Sequence, residues 1–128
     1  MTKLFYIAAG GALGAVLRYS VSGWSHRLLP GIFPWGTLVV NLAGSLVIGM
    51  LWALFEVTVV SQNARLFLFM GLLGSFTTFS TFSLEGFHMI RDGEFGYLLW
   101  NILLNVVLGI GFVFAGYMAV RQTVHILR

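Results

Sequence analysis

Four long apolar runs, separated by short intervals that hold both prolines, dominate this sequence. They cover about residues 4–23, 35–55, 65–90 and 95–120. Each run is long enough to cross a hydrocarbon core about 30 Å thick, which requires roughly 20 residues of helix. Only 9% of the residues are charged, whereas soluble domains carry about 25%. The chain is therefore predicted to be an all-α integral membrane protein, a single membrane domain over 1–128 with four transmembrane helices.

The intervals between the runs are short. The first contains two basic side chains, a glycine and both prolines: His26, Arg27, Gly31, Pro30 and Pro34. Its prolines remove backbone donors and forbid a continuous helix. The other two intervals cover residues 56–64 and 91–94. None is long enough to carry a separate active site, so the functional site is predicted to lie among the helices.

Absent and scattered residues exclude several classes of function. The sequence has no cysteine, which removes disulfides, thiolate nucleophiles and cysteine-ligated metals. His26, His88 and His125 are scattered, without the spacing of metal ligands. No nucleotide-binding loop or nucleophile–base pair is present. The net charge is +3, but the cations lie mostly at the ends of the runs, where they flank membrane spans. Neither an enzyme nor a nucleic-acid partner is predicted.

The cations on the two sides of the membrane are nearly balanced. With four spans, one side carries Lys3, Arg65, Arg121 and Arg128, and the other carries Arg18, Arg27 and Arg91. Lysine and arginine bias sets the direction of insertion, so this balance gives almost no preference. It predicts insertion in both orientations and an antiparallel, dual-topology homodimer about a two-fold axis in the membrane plane. A single orientation, set weakly by the first helix, is the alternative.

Small residues four positions apart occur in three of the runs. The pairs are Gly10 with Gly14, Ser45 with Gly49, and Gly111 with Ala115. This spacing places both members on one face of a helix and lets two backbones approach closely. It predicts tight helix packing without identifying the partner helices.

The third run contains an unusual concentration of hydroxyl groups. From Ser75 to Ser83, six of the nine residues are serine or threonine and the other three are phenylalanine. Gly74 and the β-branched threonines weaken helix propensity, and a broken helix at membrane depth is tolerated only in protein or beside a cavity. A break is predicted near 74–78, where freed carbonyls could coordinate a cation. The alternative is that each hydroxyl bonds back to its own helix.

Phe76, Phe79 and Phe82 recur every three residues, so they are predicted to form a slowly drifting stripe along one side of the helix. Such a stripe is often packing. The edge of an aromatic ring is electropositive, however, so phenyl edges beside hydroxyl donors could also hold a small anion.

Asparagines add further donors to two other runs. Thr37 and Asn41 lie one turn apart in the second run, and Asn101 and Asn105 have the same spacing in the fourth. They could join helices or supply donors along an ion path. Glu85 is the one carboxylate that could enter a span, whereas a proton-coupled transporter needs a relay of ionisable groups in the membrane.

These residues resemble the Fluc, or CrcB-type, family of fluoride channels over nearly the whole chain. The matching positions are Gly11, Gly14, Ala15, Arg18 and Tyr19, then Gly36, Thr37, Asn41 and Gly44, and finally G-S-F-T-T-F-S-T-F-S-x-E from Gly74 to Glu85. The last segment is the most specific of the three.

The resemblance implies a set of site residues. Asn41, Phe79 and Phe82 match the lining of the fluoride pathway, where the two phenylalanines form a Phe box. The rest of the predicted pathway consists of Thr37, Ser80, Thr81, Ser83 and Asn105, the last at a position where relatives often carry serine. Arg18 is expected to face a vestibule and attract anions. The backbone carbonyls of Gly74 and Thr77 are expected to hold a structural sodium ion at the dimer centre.

The function that the resemblance implies is a passive, fluoride-selective channel in the bacterial inner membrane. It would export fluoride from the cytoplasm through two pores in each antiparallel homodimer and confer fluoride resistance. The main alternative is a proton-coupled exporter resembling the small multidrug resistance transporters, which also have four helices but rely on a carboxylate in the first span. This chain has none there. A structural subunit without transport is the second alternative, in which the polar third run would serve no purpose.

Overall fold

Helices account for nearly all of residues 2–126, the part of the chain that the computed structural model describes. The first two are α1, Thr2–Leu28, and α2, Trp35–Val57. The third and fourth spans are Gln62–Arg91 and Phe95–Ile126. All four are long and apolar enough to cross a membrane, and no strand occurs within the described residues. This confirms the prediction of an all-helical, multi-pass membrane protein.

The third span consists of two helices. Its first part, α3, runs over residues 62–76 and includes a wider, π-helical stretch at Leu66–Leu73. Its second part, α4, is Phe79–Arg91. The fourth span, α5, is Phe95–Ile126, with a π-helical stretch at Leu104–Leu108.

The helices extend beyond the apolar runs that predicted them. His26 and Arg27 lie inside α1, so their placement in the first loop was wrong. The fourth span likewise continues past Arg121. A helix can continue into the headgroup region, where basic side chains are tolerated, so the apolar run marks the hydrocarbon core and not the helix end. Arg128, one of the cations in the charge balance, lies outside the described residues.

One close helix pair joins α1 to α3. A Cβ added to Gly14 would collide with the carbonyl oxygen of Leu72, and one added to Gly10 would lie 3.1 Å from the Cα of Gly71. Only glycine allows such backbone contact. The predicted packing role of Gly10 and Gly14 is confirmed.

A second close pair joins α2 to α5. A Cβ on Gly49 would meet the carbonyl of Val113, and one on Gly116 would meet the carbonyl of Leu46. By contrast, the space beside Gly111 is open within 4 Å and Ala115 is exposed. Gly116, and not the pair of Gly111 and Ala115, therefore provides the close contact of α5 within the chain.

Two residues with extended backbones lie between α3 and α4. Thr77 has φ −80° and ψ 157°, and Thr78 has φ −148° and ψ 118°. Thr78 also caps α4, because its hydroxyl accepts a 3.2 Å bond from the Thr81 N–H. Phe76 consequently lies in α3 beside Gly44 of α2, while the rings of Phe79 and Phe82 in α4 are 5.6 Å apart. The interpretation of the three phenylalanines as one helical stripe was wrong.

Candidate functional site

The extended backbone of Thr78 pairs with the side chain of Asn41. The Thr78 N–H donates to Asn41 Oδ1 at 2.9 Å, and Asn41 Nδ2 donates to the Thr78 carbonyl at 3.2 Å. One amide side chain thus satisfies both polar groups of a residue that leaves the helix, much as a neighbouring strand would. Such groups are costly when they are unpaired at membrane depth. This clamp, as we call the Asn41–Thr78 pair, fixes α2 to the third span.

Three asparagine amides continue from the clamp into α5. Asn41 Nδ2 donates to Asn105 Oδ1 at 2.9 Å, and Asn105 Nδ2 donates to Asn101 Oδ1 at 2.8 Å and to the Asn101 carbonyl at 3.0 Å. Every donor in this series points toward Asn101, so the bonds polarise one another. The Asn101 side chain is 0% exposed, and its own Nδ2 has no hydrogen-bond partner. The series therefore ends in a buried, unused donor.

A groove of about 370 Å³ lies beside these amides. Its walls include most of the residues for which the sequence predicted a role: Asn41, Gly74, Thr77, Phe79, Phe82 and Asn105. Phe79 is 78% exposed in the single chain. The groove thus combines aromatic rings, neutral amides and backbone carbonyls, without a charged side chain among its lining residues.

The hydroxyls of α4 have mixed roles. The Ser83 hydroxyl donates back to the Phe79 carbonyl at 2.9 Å, which is the local bonding considered as an alternative. The Thr78 hydroxyl donates to Thr81 Oγ1 at 3.0 Å and lies 3.4 Å from Ser80 Oγ. Ser80, Thr81 and Ser83 are all exposed in the single chain. They form a polar surface on α4 outside the groove.

A second cleft, of about 430 Å³, lies on the other side of Thr78. It is lined from α1 by Arg18, Tyr19, Ser22 and His26, from α2 by Thr37, and from α4 by Thr81. Arg18, Thr37 and Thr81 are therefore separated from the predicted residues of the groove. Thr78 lines both spaces, so the two meet at the clamp.

Glu85 contributes more to the site than its sequence position indicated. The Thr37 hydroxyl donates to Glu85 Oε1 at 2.6 Å, while Oε2 is buried without a partner. Thr37 therefore binds a carboxylate and does not share a contact with Asn41. The sequence feature that could have identified Glu85 is its position as the last residue of the Gly74–Glu85 segment, the most specific part of the family resemblance.

The carbonyls of Gly74 and Thr77 lose their usual donors at the extended backbone. In a continuous helix the N–H of residue 78 would donate to Gly74, and that of residue 81 to Thr77. The first instead donates to Asn41, and the second to the Thr78 hydroxyl. Both carbonyl-bearing residues line the groove.

Comparison with known proteins gives consistent matches over most of the chain. The family model described as CrcB-like protein, Camphor Resistance (CrcB), matches residues 5–117. Similar proteins named "Fluoride-specific ion channel FluC" occur in Parabacteroides distasonis, at 41% identity over 100% of both chains, and in Geobacter sulfurreducens, at 46% over 95% of this chain and 99% of the relative. A third, from Shewanella amazonensis, is 43% identical over 97% of this chain and 100% of the relative.

These names describe ion channels, in agreement with the prediction that the chain is not an enzyme. The family model and the relatives cover all four spans, including the clamp and both clefts. The chain therefore belongs to the CrcB-like family, as its resemblance to the Fluc channels predicted.

Proposed function

We propose that this chain is a fluoride-selective channel that passively exports fluoride from the cytoplasm of a bacterium across its inner membrane, lowers intracellular fluoride and so confers fluoride resistance. The observation that carries the proposal is the groove at the clamp, where the rings of Phe79 and Phe82 lie beside neutral amides. The names of the relatives support fluoride as the ion. Passive conduction, unlike proton-coupled transport, does not require a side chain that gains and loses a proton within the membrane.

The groove meets the physical demands of a small, strongly hydrated anion. Its ring edges carry partial positive charge, and the neutral amides of Asn41 and Asn105 are among its lining residues. Neutral donors can replace hydration water without trapping the ion, which must bind weakly enough to leave. A lysine or arginine at the same depth would hold the anion too strongly.

A second, oppositely inserted copy of the chain would complete the pores. Phe79 is 78% exposed, and Ser80, Thr81 and Ser83 form a polar surface that lipid tails cannot solvate. Covering this surface with protein removes that cost. The balanced cations favour an antiparallel, dual-topology homodimer, and its two-fold symmetry would give two identical pores.

A sodium ion at the dimer centre fits the carbonyls of Gly74 and Thr77. Their usual helical donors bond elsewhere, and uncharged backbone oxygens are ligands that hard cations accept. The pair from each of two copies would hold the ion, which would supply a positive charge that binds the two chains together.

Removal of sodium is therefore expected to weaken the dimer. We expect the midpoint of thermal unfolding of the purified dimer to fall by several degrees when Na⁺ is replaced by N-methylglucamine at equal ionic strength, because a ΔΔG of about 1 kcal/mol shifts the midpoint by roughly 2–4 °C in folds of about 150–250 residues. Tryptophan fluorescence during heating would measure it. Equal midpoints in the two buffers would contradict the sodium site.

Fluoride efflux from liposomes tests the function directly. A fluoride electrode should record efflux from vesicles that contain the purified protein, with no pH gradient and with chloride as the control anion. Phe79→Ala and Phe82→Ala should each slow efflux about twofold to tenfold, since aromatic interactions of about 0.5–1.5 kcal/mol correspond to rate changes of that size.

The matched control is Phe87→Ala, which lies on the same helix and is also exposed, at 57%, but is outside the lining of the groove. It should conduct like the unmodified protein. Absence of fluoride efflux from the unmodified protein would refute the function, and efflux that requires a pH gradient would favour a proton-coupled exporter.

A further inference from the structure

Two adjoining clefts near the C-terminal ends of α2 and α5 have no part in the proposed channel. We infer that together they bind a phospholipid whose headgroup carries both a phosphodiester and a primary ammonium group, the chemistry of phosphatidylethanolamine. One acyl chain would lie in an apolar cleft, while the phosphate would bind Arg121 and the ammonium would bind Glu56 in a charged cleft. The site goes beyond the proposed function, because it would be occupied whichever ion the channel conducts.

The apolar cleft lies between α2 and α5 and has a volume of about 360 Å³. Its lining residues are Gly49, Trp52, Ile110, Val113, Phe114 and Tyr117. Trp52, Ile110 and Phe114 are more than half exposed, so the cleft is open at the surface of the bundle. Because this part of the bundle lies within two membrane spans, the apolar group that its surface meets is an acyl chain.

The apolar cleft leads into the charged cleft, which has a volume of about 290 Å³. Tyr117 lines both spaces, whereas Glu56 and Arg121 line only the charged one. As the second and fourth of four spans, α2 and α5 run in the same direction, so Glu56 and Arg121 lie at the same membrane surface. The two clefts therefore follow the order of a phospholipid, with the apolar chain inside and the charges at the surface.

A tyrosine hydroxyl separates the two opposite charges. The Tyr117 hydroxyl donates to Glu56 Oε2 at 2.9 Å and accepts from the Arg121 guanidinium at 3.3 Å. Glu56 Oε1 accepts from the Trp52 indole N–H at 3.1 Å. Within residues 2–126, no ion pair involves Glu56 or Arg121. A carboxylate has about four acceptor positions and a guanidinium has five N–H donors, so both groups can still bind a ligand.

The charged cleft is complementary to a headgroup that carries both signs of charge. The guanidinium of Arg121 can bind two phosphate oxygens at once, and the Glu56 carboxylate can accept from a primary ammonium, which has three N–H donors. The trimethylated ammonium of phosphatidylcholine has no donor for Glu56. Trp52 and Tyr117 fit the headgroup level, where amphipathic aromatic rings are enriched.

A second copy of the chain is the other occupant that could cover the apolar cleft. The polar surface of α4, formed by Ser80, Thr81 and Ser83, is the surface that lipid tails cannot solvate and that protein must cover. The apolar cleft has no such requirement, because its lining is compatible with hydrocarbon. Lipid is therefore the better match to the cleft.

Native mass spectrometry would measure which lipid the protein retains. The purified dimer would be equilibrated in detergent with phosphatidylethanolamine, phosphatidylcholine and phosphatidylglycerol of identical acyl chains and then released from the micelles. Phosphatidylethanolamine should be retained about tenfold more than phosphatidylcholine, because loss of a hydrogen bond to a charged group, about 1.5 kcal/mol, changes an affinity by about that factor.

Four variants locate the binding groups. Glu56→Gln should retain phosphatidylethanolamine and phosphatidylcholine equally, and Arg121→Gln should retain about tenfold less of both. Tyr117→Phe keeps the ring in the apolar cleft but lets the two charges pair with each other, so it should also retain less phosphatidylethanolamine. The matched control is the double variant Arg27→Gln, Glu94→Gln, which changes a cation and a carboxylate outside both clefts and should keep the full selectivity.

Several results would overturn the inference. Equal retention of phosphatidylethanolamine and phosphatidylcholine by the unmodified protein would show that lipid binds there without selection. Preferential retention of phosphatidylglycerol would indicate a site for anionic headgroups instead, and selectivity found only in the monomer would assign the apolar cleft to a second copy. A preference that survives in both Glu56→Gln and Tyr117→Phe would place the lipid elsewhere. None of these results depends on fluoride efflux, so each leaves the proposed channel intact.

Discussion

Asn41→Ala is expected to destabilise the folded chain by about 2–6 kcal/mol and to abolish fluoride efflux. The substitution removes both hydrogen bonds of the clamp and leaves the Thr78 N–H and carbonyl unpaired, at a cost of about 1–3 kcal/mol for each buried group. It also leaves the side-chain Oδ1 of Asn105 without the bond that it accepts from Asn41. Thermal unfolding in detergent and efflux from liposomes measure the two effects.

Two further variants show whether the pairing itself is responsible. Asn41→Asp keeps an acceptor for the Thr78 N–H but places an oxygen against the Thr78 carbonyl and the Asn105 Oδ1, so it should be at least as damaging as alanine. Ser45→Ala, one turn further along α2 and also beside the groove, should retain most of the stability. An Asn41→Ala protein that unfolds and conducts like the unmodified chain would show that the clamp is dispensable.

Gly14→Val is expected to disrupt the packing of α1 on α3 and to cost about 3 kcal/mol or more of stability. Even a single Cβ at this position would overlap the Leu72 carbonyl oxygen. Because the obstacle is backbone, it cannot move aside like the end of a flexible side chain, and overpacking by one methylene already costs about 1–3 kcal/mol. The midpoint of thermal unfolding and the yield of folded protein should both fall.

Gly23→Ala provides the matched control in the same helix. Nothing lies within 4 Å of a Cβ added at Gly23, so the variant should be neutral or more stable by up to about 1 kcal/mol, as expected from helix propensity. Similar losses of stability in both variants would show that glycine in α1 matters for a reason other than contact with α3.

The number and type of spans could be predicted because burial in lipid imposes one simple requirement, a long apolar helix. The ends of the helices could not be predicted with the same precision. Residues such as His26 and Arg121 are polar yet helical, because the backbone bonds continue after the apolar run has ended. The hydropathy of the side chains indicates which part of a helix lies in the hydrocarbon core, but it does not indicate where the backbone hydrogen bonds of the helix end.

The arrangement of the site could not be predicted from the sequence, because it depends on contacts between residues that are far apart along the chain. Asn41 and Asn105 could be identified as polar groups inside spans, but not as partners of Thr78 and of each other. Likewise, the four-residue spacing of Gly111 and Ala115 gave no way to choose them over Gly116. The choice depends on which face of α5 meets α2, and that is set by the packing of the whole chain.

The predicted site residues also proved to be divided between two spaces. The groove holds Phe79, Phe82 and Asn105, whereas the second cleft holds Arg18 and Thr37. Thr37 and Asn41 are only one turn apart, and their spacing alone places them on one face. Thr37 binds the Glu85 carboxylate, whereas Asn41 binds the Thr78 backbone. Helical spacing alone cannot predict that the two residues have different partners.

The uncharged lining of the groove has an energetic consequence for the proposed channel. Amides and phenyl rings do not exchange protons, so each fluoride ion would cross with its full negative charge, and transport would be driven by membrane voltage as well as by concentration. At about 100 mV, negative inside, moving one charge is worth about 2.3 kcal/mol, which corresponds to roughly a fiftyfold concentration ratio. A respiring cell could therefore hold its internal fluoride well below that of its surroundings without spending ATP on transport of the ion.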